Sequence, residues 1–176
     1  GIVKNKINVL FAGRLEYQKG IDELIAVVKE LKNDTHYHFH IIGAGSKSKE
    51  VQEQLGILSN VTLYDKVYGL SQYLSSFDYL FMPSNFEGFG LMCAEASLAH
   101  VPTIINNCAG LNETLPNNWP LSVYGNGVKH YLHIFKDVLP KVNKTILGEQ
   151  AYLFAKQNFG MRRMQLEYEK IYIGNE

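Results

Sequence analysis

Short apolar runs alternate with amphipathic stretches along this chain, and that alternation constrains its fold more than any other feature. Ile7 to Phe11 is an apolar run closed by Ala12-Gly13, the pattern of a buried strand. Ile21, Leu24, Ile25, Val28 and Leu31 follow at helical spacing, with Asp22 and Glu23 in the first turn, where the helix dipole favours carboxylates. The pattern repeats. Strands are predicted over Tyr37 to Ile42, Val61 to Tyr64, Tyr79 to Met82 and Pro102 to Asn106, with a weaker one over Leu121 to Tyr124. Helices are predicted over Ser46 to Leu55, Leu70 to Phe77, Leu91 to His100 and Val128 to Leu139. Two helical stretches, near Ile146 to Phe154 and Met161 to Ile173, close the chain with no strand between them. The expected fold is α/β: a doubly wound, Rossmann-like parallel sheet of about six strands, with extra C-terminal helices, in one domain over residues 1–176. In such sheets ligands lie beyond the carboxyl ends of the strands, so the loops after the strands are where chemistry is to be sought.

Composition narrows the classes. Lys plus Arg is 17 and Asp plus Glu is 17, so the chain has no bulk charge with which to hold nucleic acid. Hydrophobic residues make up 46% and charged ones 19%, a globular and not a disordered balance. Cys93 and Cys108 form neither a CxxC nor a zinc spacing, and the simplest expectation is a reduced, cytoplasmic setting. No apolar run approaches the ~18 residues of a membrane span, and Gly-Ile-Val-Lys-Asn-Lys-Ile does not read as a signal peptide.

The loop after the first strand, Ala12-Gly13-Arg14-Leu15-Glu16-Tyr17-Gln18-Lys19-Gly20, places an Arg and a Lys between two glycines before a helix start. Glycine lets backbone approach a ligand, Arg binds phosphate bidentately and Lys adds a point charge; the alternative is a solvated loop. The loop after the fourth strand, Pro83-Ser84-Asn85-Phe86-Glu87-Gly88-Phe89-Gly90-Leu91, runs into a helix carrying Glu95. Two carboxylates flanking a glycine-rich helix start suit a ligand with phosphates in the middle and hydroxyls at both ends. Against this stands an ordinary turn and helix with a solvated Glu95. Gly43-Ala44-Gly45, with Asp65 twenty residues on, imitates a dinucleotide fingerprint, but Ser48 occupies the third glycine position and the motif follows the second strand, not the first. The turn Asn106 to Glu113 is expected to lead into a helix with Glu113 in its first turn. His36, His38 and His40 share a strand face but lack a Cys or carboxylate neighbour to complete a metal site. Cys93 reads as a small buried hydrophobe, and Tyr68 as a rim residue able to touch a base.

Together, Gly13-Arg14-x4-Lys19-Gly20, Gly43-x-Gly45, Pro83-Ser84-x2-Glu87-Gly88-Phe89-Gly90-Leu91-x3-Glu95-Ala96 and Gly110-x2-Glu113 resemble the C-terminal, donor-binding half of family 4 retaining glycosyltransferases, of the GT-B fold. The resemblance runs from about residue 7 to residue 172, with Asn158-Phe159-Gly160 leading into a closing helix over Tyr168 to Tyr172. It implies a nucleotide-diphospho-sugar donor, transfer with retention, no metal cofactor, and a role in polysaccharide, glycoconjugate or cell-surface glycan synthesis. It also implies an N-terminal acceptor-binding half outside this chain, so that the chain alone is expected to be inactive and any peripheral membrane association to lie with that other half. Arg14 and Lys19 would neutralise the diphosphate as charge builds on the leaving group. Glu87 would hold sugar hydroxyls and Glu95 the ribose. Gly13 and Gly88 would let the ligand approach, Phe89, Gly90 and Leu91 would offer amides, and the main chain at Lys66 and Val67 would meet the base. Asp65 stands where the family usually has Gly, His100 where Gly usually precedes x-Pro, and Met92 where Pro is common. A non-catalytic nucleotide or sugar-phosphate binding module, and an NAD-dependent enzyme, are the competing readings.

Overall fold

The computed structural model describes residues 1–159. Its strands are β1 (Ile7–Ala12), β2 (Tyr37–Ile42), β3 (Val61–Tyr64), β4 (Tyr79–Met82), β5 (Thr103–Asn106) and β6 (Ser122–Val123). They form one six-stranded sheet in the order β3-β2-β1-β4-β5-β6, with every neighbouring pair parallel. Helices α1 (Ile21–Glu30), α2 (Ser48–Leu55), α3 (Leu91–Leu98), α4 (Val128–His133) and α5 (Lys144–Phe159) flank it. The expected doubly wound sheet is therefore the observed one.

The strands were readable because a parallel sheet covered on both faces needs apolar residues at successive positions. All of β2, β4 and β5 is buried, and so is β1 beyond Ile7. Helix α1 buries Ile21, Leu24, Ile25, Val27 and Val28 against the sheet. Burying a Leu or Ile side chain stabilises by about 1.5–3 kcal/mol, so this one helix face contributes substantially to the core.

Helix boundaries moved more than strands did. Helix α2 starts at Ser48, two residues later than predicted, because the Ser48 hydroxyl accepts from the Gly45 amide in the turn before it. Leu70–Ser76 is a 3₁₀ run instead of an α-helix. The stretch predicted over Val128 to Leu139 splits into α4 and a π-type turn at Ile134–Val138, where the Leu139 amide reaches five residues back to the Ile134 carbonyl. No helix follows Gly110: Thr114 Oγ1 donates to the Leu111 carbonyl, and Pro116 keeps Leu115 out of helical geometry. Helix α5 is a single 16-residue element. The last predicted helix, residues 161–173, lies outside the described residues.

Two histidines interrupt the apolar run of β2 and are buried nonetheless. His38 Nε2 pairs with Thr62 Oγ1 at 2.8 Å, and His40 Nε2 with Asn8 Oδ1 at 2.9 Å. His36 is exposed and bonds Asp34. Among the described residues no group of three His, Cys, Asp or Glu side chains is placed to hold a metal ion. Burial pushes the His40 pKa down to about 4. The unfolded imidazole takes its proton near 6.5, so His40 contributes stability at neutral pH that is lost as pH falls from about 6.5 to about 4, roughly 3 kcal/mol in all. His40→Gln should therefore be more destabilising at pH 7 than at pH 4.5 in urea titrations; equal losses at both would contradict this.

Sheet order places the ligand region. The chain winds from β1 outward to β3, then returns to lay β4 on the other side of β1. Between β1 and β4 the winding direction reverses, and in open α/β sheets ligands bind beyond the carboxyl ends of the strands at such a point. Those are the loops with Arg14 and Lys19, and with Glu87.

Candidate functional site

The two loops are held together by backbone. Residues Tyr17–Lys19 form a 3₁₀ turn ended by Gly20, at φ 68°. A Cβ on Gly20 would lie 1.8 Å from the Pro83 carbonyl oxygen, so only glycine allows the loops to meet here. The Asn85 amide donates to the Gln18 carbonyl at 2.9 Å, and its side-chain Nδ2 to the Tyr17 carbonyl at 2.8 Å. Gly110 supports the second loop from behind. Its φ is 80°, a Cβ there would lie 2.2 Å from the Glu87 carbonyl oxygen, and the Glu87 amide donates to the Ala109 carbonyl at 3.2 Å. Gly43 and Gly45 pack against the Gly13 and Leu15 carbonyls, which accounts for that motif without a dinucleotide.

This strapping brings together residues 68 apart in sequence. Lys19 Nζ donates to Glu87 Oε1 at 2.6 Å, and Ser84 Oγ donates to the same oxygen at 2.8 Å. The side chains are 19% exposed for Lys19 and 7% for Glu87, so the pair is largely shielded from open solvent. Ser84 was quoted in the sequence pattern but given no role; its hydroxyl fixes the carboxylate from the protein side. Arg14 lies at the rim, exposed, and among the described residues its side chain has only a long bond, from Nη2 to Gln18 Oε1 at 3.4 Å. Its guanidinium therefore keeps most of its donors available.

Helix α3 begins at Leu91. The Gly90 amide is taken by the Gly110 carbonyl at 3.1 Å and the Leu91 amide by the Phe89 carbonyl at 2.7 Å. The intrahelical ladder begins with the Ala94 amide on the Gly90 carbonyl. The first-turn amides without a helical acceptor are then those of Met92 and Cys93, just beyond the Phe89, Gly90 and Leu91 that the sequence pattern indicated. Gly88 is exposed, with nothing within 4 Å of where its Cβ would stand. The Phe89 ring packs edge-on against Phe159, with centroids 5.1 Å apart. Glu95 is exposed on α3, one turn past those amides.

Beside the pair lies a cleft of about 330 Å³. Ile42, Val67, Leu70 and Met92 give it an apolar lining, and Gly13, Arg14, Asp65 and Lys66 a polar one. Lys66 and Val67, the main-chain positions expected to meet a base, are here, whereas Tyr68, Glu87 and Glu95 lie outside its lining. Burial raises the Cys93 thiol pKa, and burial together with the Glu87 carboxylate raises that of Cys108, so neither is poised as a thiolate nucleophile. No helix among the described residues is long and apolar enough to cross a membrane.

The model of the glycosyl transferases group 1 family matches residues 1–120. A 41.2 kDa protein of the cps region of Klebsiella pneumoniae is 41% identical over 116 residues, covering 65% of this chain and 31% of that protein. A glycosyltransferase of Methanocaldococcus jannaschii is 26% identical over 178 residues, covering 93% of this chain and 47% of that one. Among solved structures, Anabaena HepE in complex with UDP superposes with a TM-score of 0.84 at 19% identity, over 97% of this chain and 50% of HepE. TarM gives 0.81 at 21% identity, over 96% of this chain and 35% of TarM. The chain thus spans a third to a half of the proteins it matches. The chain belongs to the glycosyl transferases group 1 family, in the GT-B fold.

Proposed function

We propose that this chain binds a nucleotide-diphospho-sugar as the donor half of a retaining glycosyltransferase that builds polysaccharide or another cell-surface glycan in the cytoplasm. The observation that carries the reading is the Lys19–Glu87 pair at the reversal of strand order, with Arg14 beside it. An ammonium has three donors, so Lys19 can keep Glu87 Oε1 and still give a proton to a phosphate oxygen. Arg14 adds a bidentate fork. As the glycosidic bond breaks, negative charge grows on the diphosphate, and the two cations stabilise it there without a metal ion. Glu87, held by Ser84 and Lys19, presents its second carboxylate oxygen to sugar hydroxyls. Glu95, further along α3, takes the ribose. The apolar-lined cleft by Lys66 and Val67 takes the base. Transfer itself also needs acceptor-binding groups from a second half, of the size that the matched relatives have beyond the aligned region.

The two glutamates test the ligand's direction. With chelator present throughout, Glu95→Gln should weaken free nucleoside diphosphate and nucleotide-sugar alike, by about tenfold, or ~1.4 kcal/mol. Glu87→Gln should leave free nucleotide binding nearly intact and remove the extra affinity due to the sugar. Calorimetric titration of both variants reads this directly. If Glu87→Gln alone abolishes nucleotide binding while Glu95→Gln is silent, the ligand does not lie this way round.

A further inference from the structure

We infer that Asp65 reads the donor's base and selects guanine. This rests on the donor-site reading above and names the nucleotide that the site would take. Asp65 directly follows β3 and lines the cleft together with Arg14 and Lys66, beside the apolar surface of Ile42, Val67, Leu70 and Met92. Its side chain is exposed, and among the described residues it has no hydrogen bond and no ion pair. The nearest cation in sequence does not neutralise it: the Lys66 ammonium sits over the Tyr68 ring, 4.6 Å from its centroid. The cleft, about 330 Å³, thus carries a carboxylate with no partner of its own among the described residues, beside apolar side chains.

The choice of base follows from the hydrogen-bonding inventory. An ionised carboxylate accepts at both oxygens and donates nothing. Guanine presents two adjacent donors, N1–H and the N2 amine, which match two carboxylate oxygens. Uracil presents one donor, N3–H, between two carbonyl oxygens that face the carboxylate with like charge. Adenine presents N1, an acceptor, next to its amine. Only guanine gives both Asp65 oxygens a donor. The apolar wall supplies stacking surface that any base can use, so discrimination falls to Asp65.

Inosine diphosphate isolates the interaction, since it keeps N1–H and the diphosphate but lacks the N2 amine. Calorimetric titration of the 176-residue chain with GDP, IDP and UDP should give affinities falling in that order. GDP should bind at least about tenfold tighter than UDP, within the range of a hydrogen bond to a charged group. Asp65→Ala should bring the GDP-to-IDP ratio to about one while both remain bound. Loss of a repelling charge near the phosphates would strengthen all three nucleotides together and leave that ratio alone, so the ratio isolates the base contact. Wild-type affinity equal for GDP and IDP, or a ratio unchanged in Asp65→Ala, overturns the assignment and leaves the donor site standing. No binding of any nucleoside diphosphate overturns both.

Discussion

Gly20→Ala should be among the most damaging single-methyl additions in this chain, destabilising it by roughly 3–5 kcal/mol. The new Cβ would lie 1.8 Å from the Pro83 carbonyl oxygen, and Gly20 has φ 68°. The left-handed conformation alone costs a non-glycine residue about 1–2 kcal/mol. The clash is worse, because neither partner is a movable side chain. Relief requires the β1 and β4 loops to part, which breaks the bonds from Asn85 to Tyr17 and Gln18 and pulls Lys19 from Glu87. For a chain of this size the melting temperature should fall by roughly 10 °C, and nucleotide binding should fall with it. Gly88→Ala is the control: its Cβ meets nothing within 4 Å, and the melting temperature should barely move. A Gly20→Ala protein that melts with the wild type would mean that the loops are not joined as described.

That contact was out of reach of sequence reasoning. The glycines at 13, 20, 43, 45 and 110 were visible as motif positions, and local rules assigned them to turns or to ligand approach. Gly20, Gly43 and Gly110 instead make room for carbonyls of loops distant in sequence, which depends on which strands are neighbours. Strands β1, β2 and β4 were legible to within a residue because their burial gives nearly continuous apolar runs, ended by Gly13, Gly43 and Pro83. The π-type turn at Ile134–Val138 left no such trace, since its side-chain spacing stays close to that of a helix. The missing helix after Gly110 did leave one, in Pro116. At the site, Arg14, Lys19 and Glu87 were each legible from residue type and loop position. Their pairing was not, because the Lys19–Glu87 contact depends on β4 returning to lie beside β1. Of the amides expected at Phe89, Gly90 and Leu91, that of Gly90 is spent on Gly110, a residue of another loop, and that of Leu91 on the Phe89 carbonyl.

Lys19→Met should weaken nucleoside diphosphate binding by roughly 10–100-fold, the value of a hydrogen bond between charged groups at a half-buried site. It should also cost stability, because among the described residues it leaves the Glu87 carboxylate, 7% exposed, with only the Ser84 hydroxyl for a partner. Removing one member of a buried pair is more damaging than removing both. Adding Glu87→Gln to Lys19→Met should therefore recover much of the lost stability, while diphosphate binding stays lost. The two effects separate because the carboxylate needs the lysine for its burial, whereas the phosphate needs the lysine's charge.

The folded Lys19→Met/Glu87→Gln protein is thus the instrument for the central claim that the reversal point between β1 and β4 is a diphosphate site. Titrate it and the wild type with GDP and UDP, and with guanosine and uridine, at two salt concentrations. The account predicts that the wild type binds at least one diphosphate, more weakly at higher salt, and that the double variant loses this affinity while nucleoside binding hardly changes. A double variant that is folded and binds the diphosphates as tightly as the wild type would contradict it.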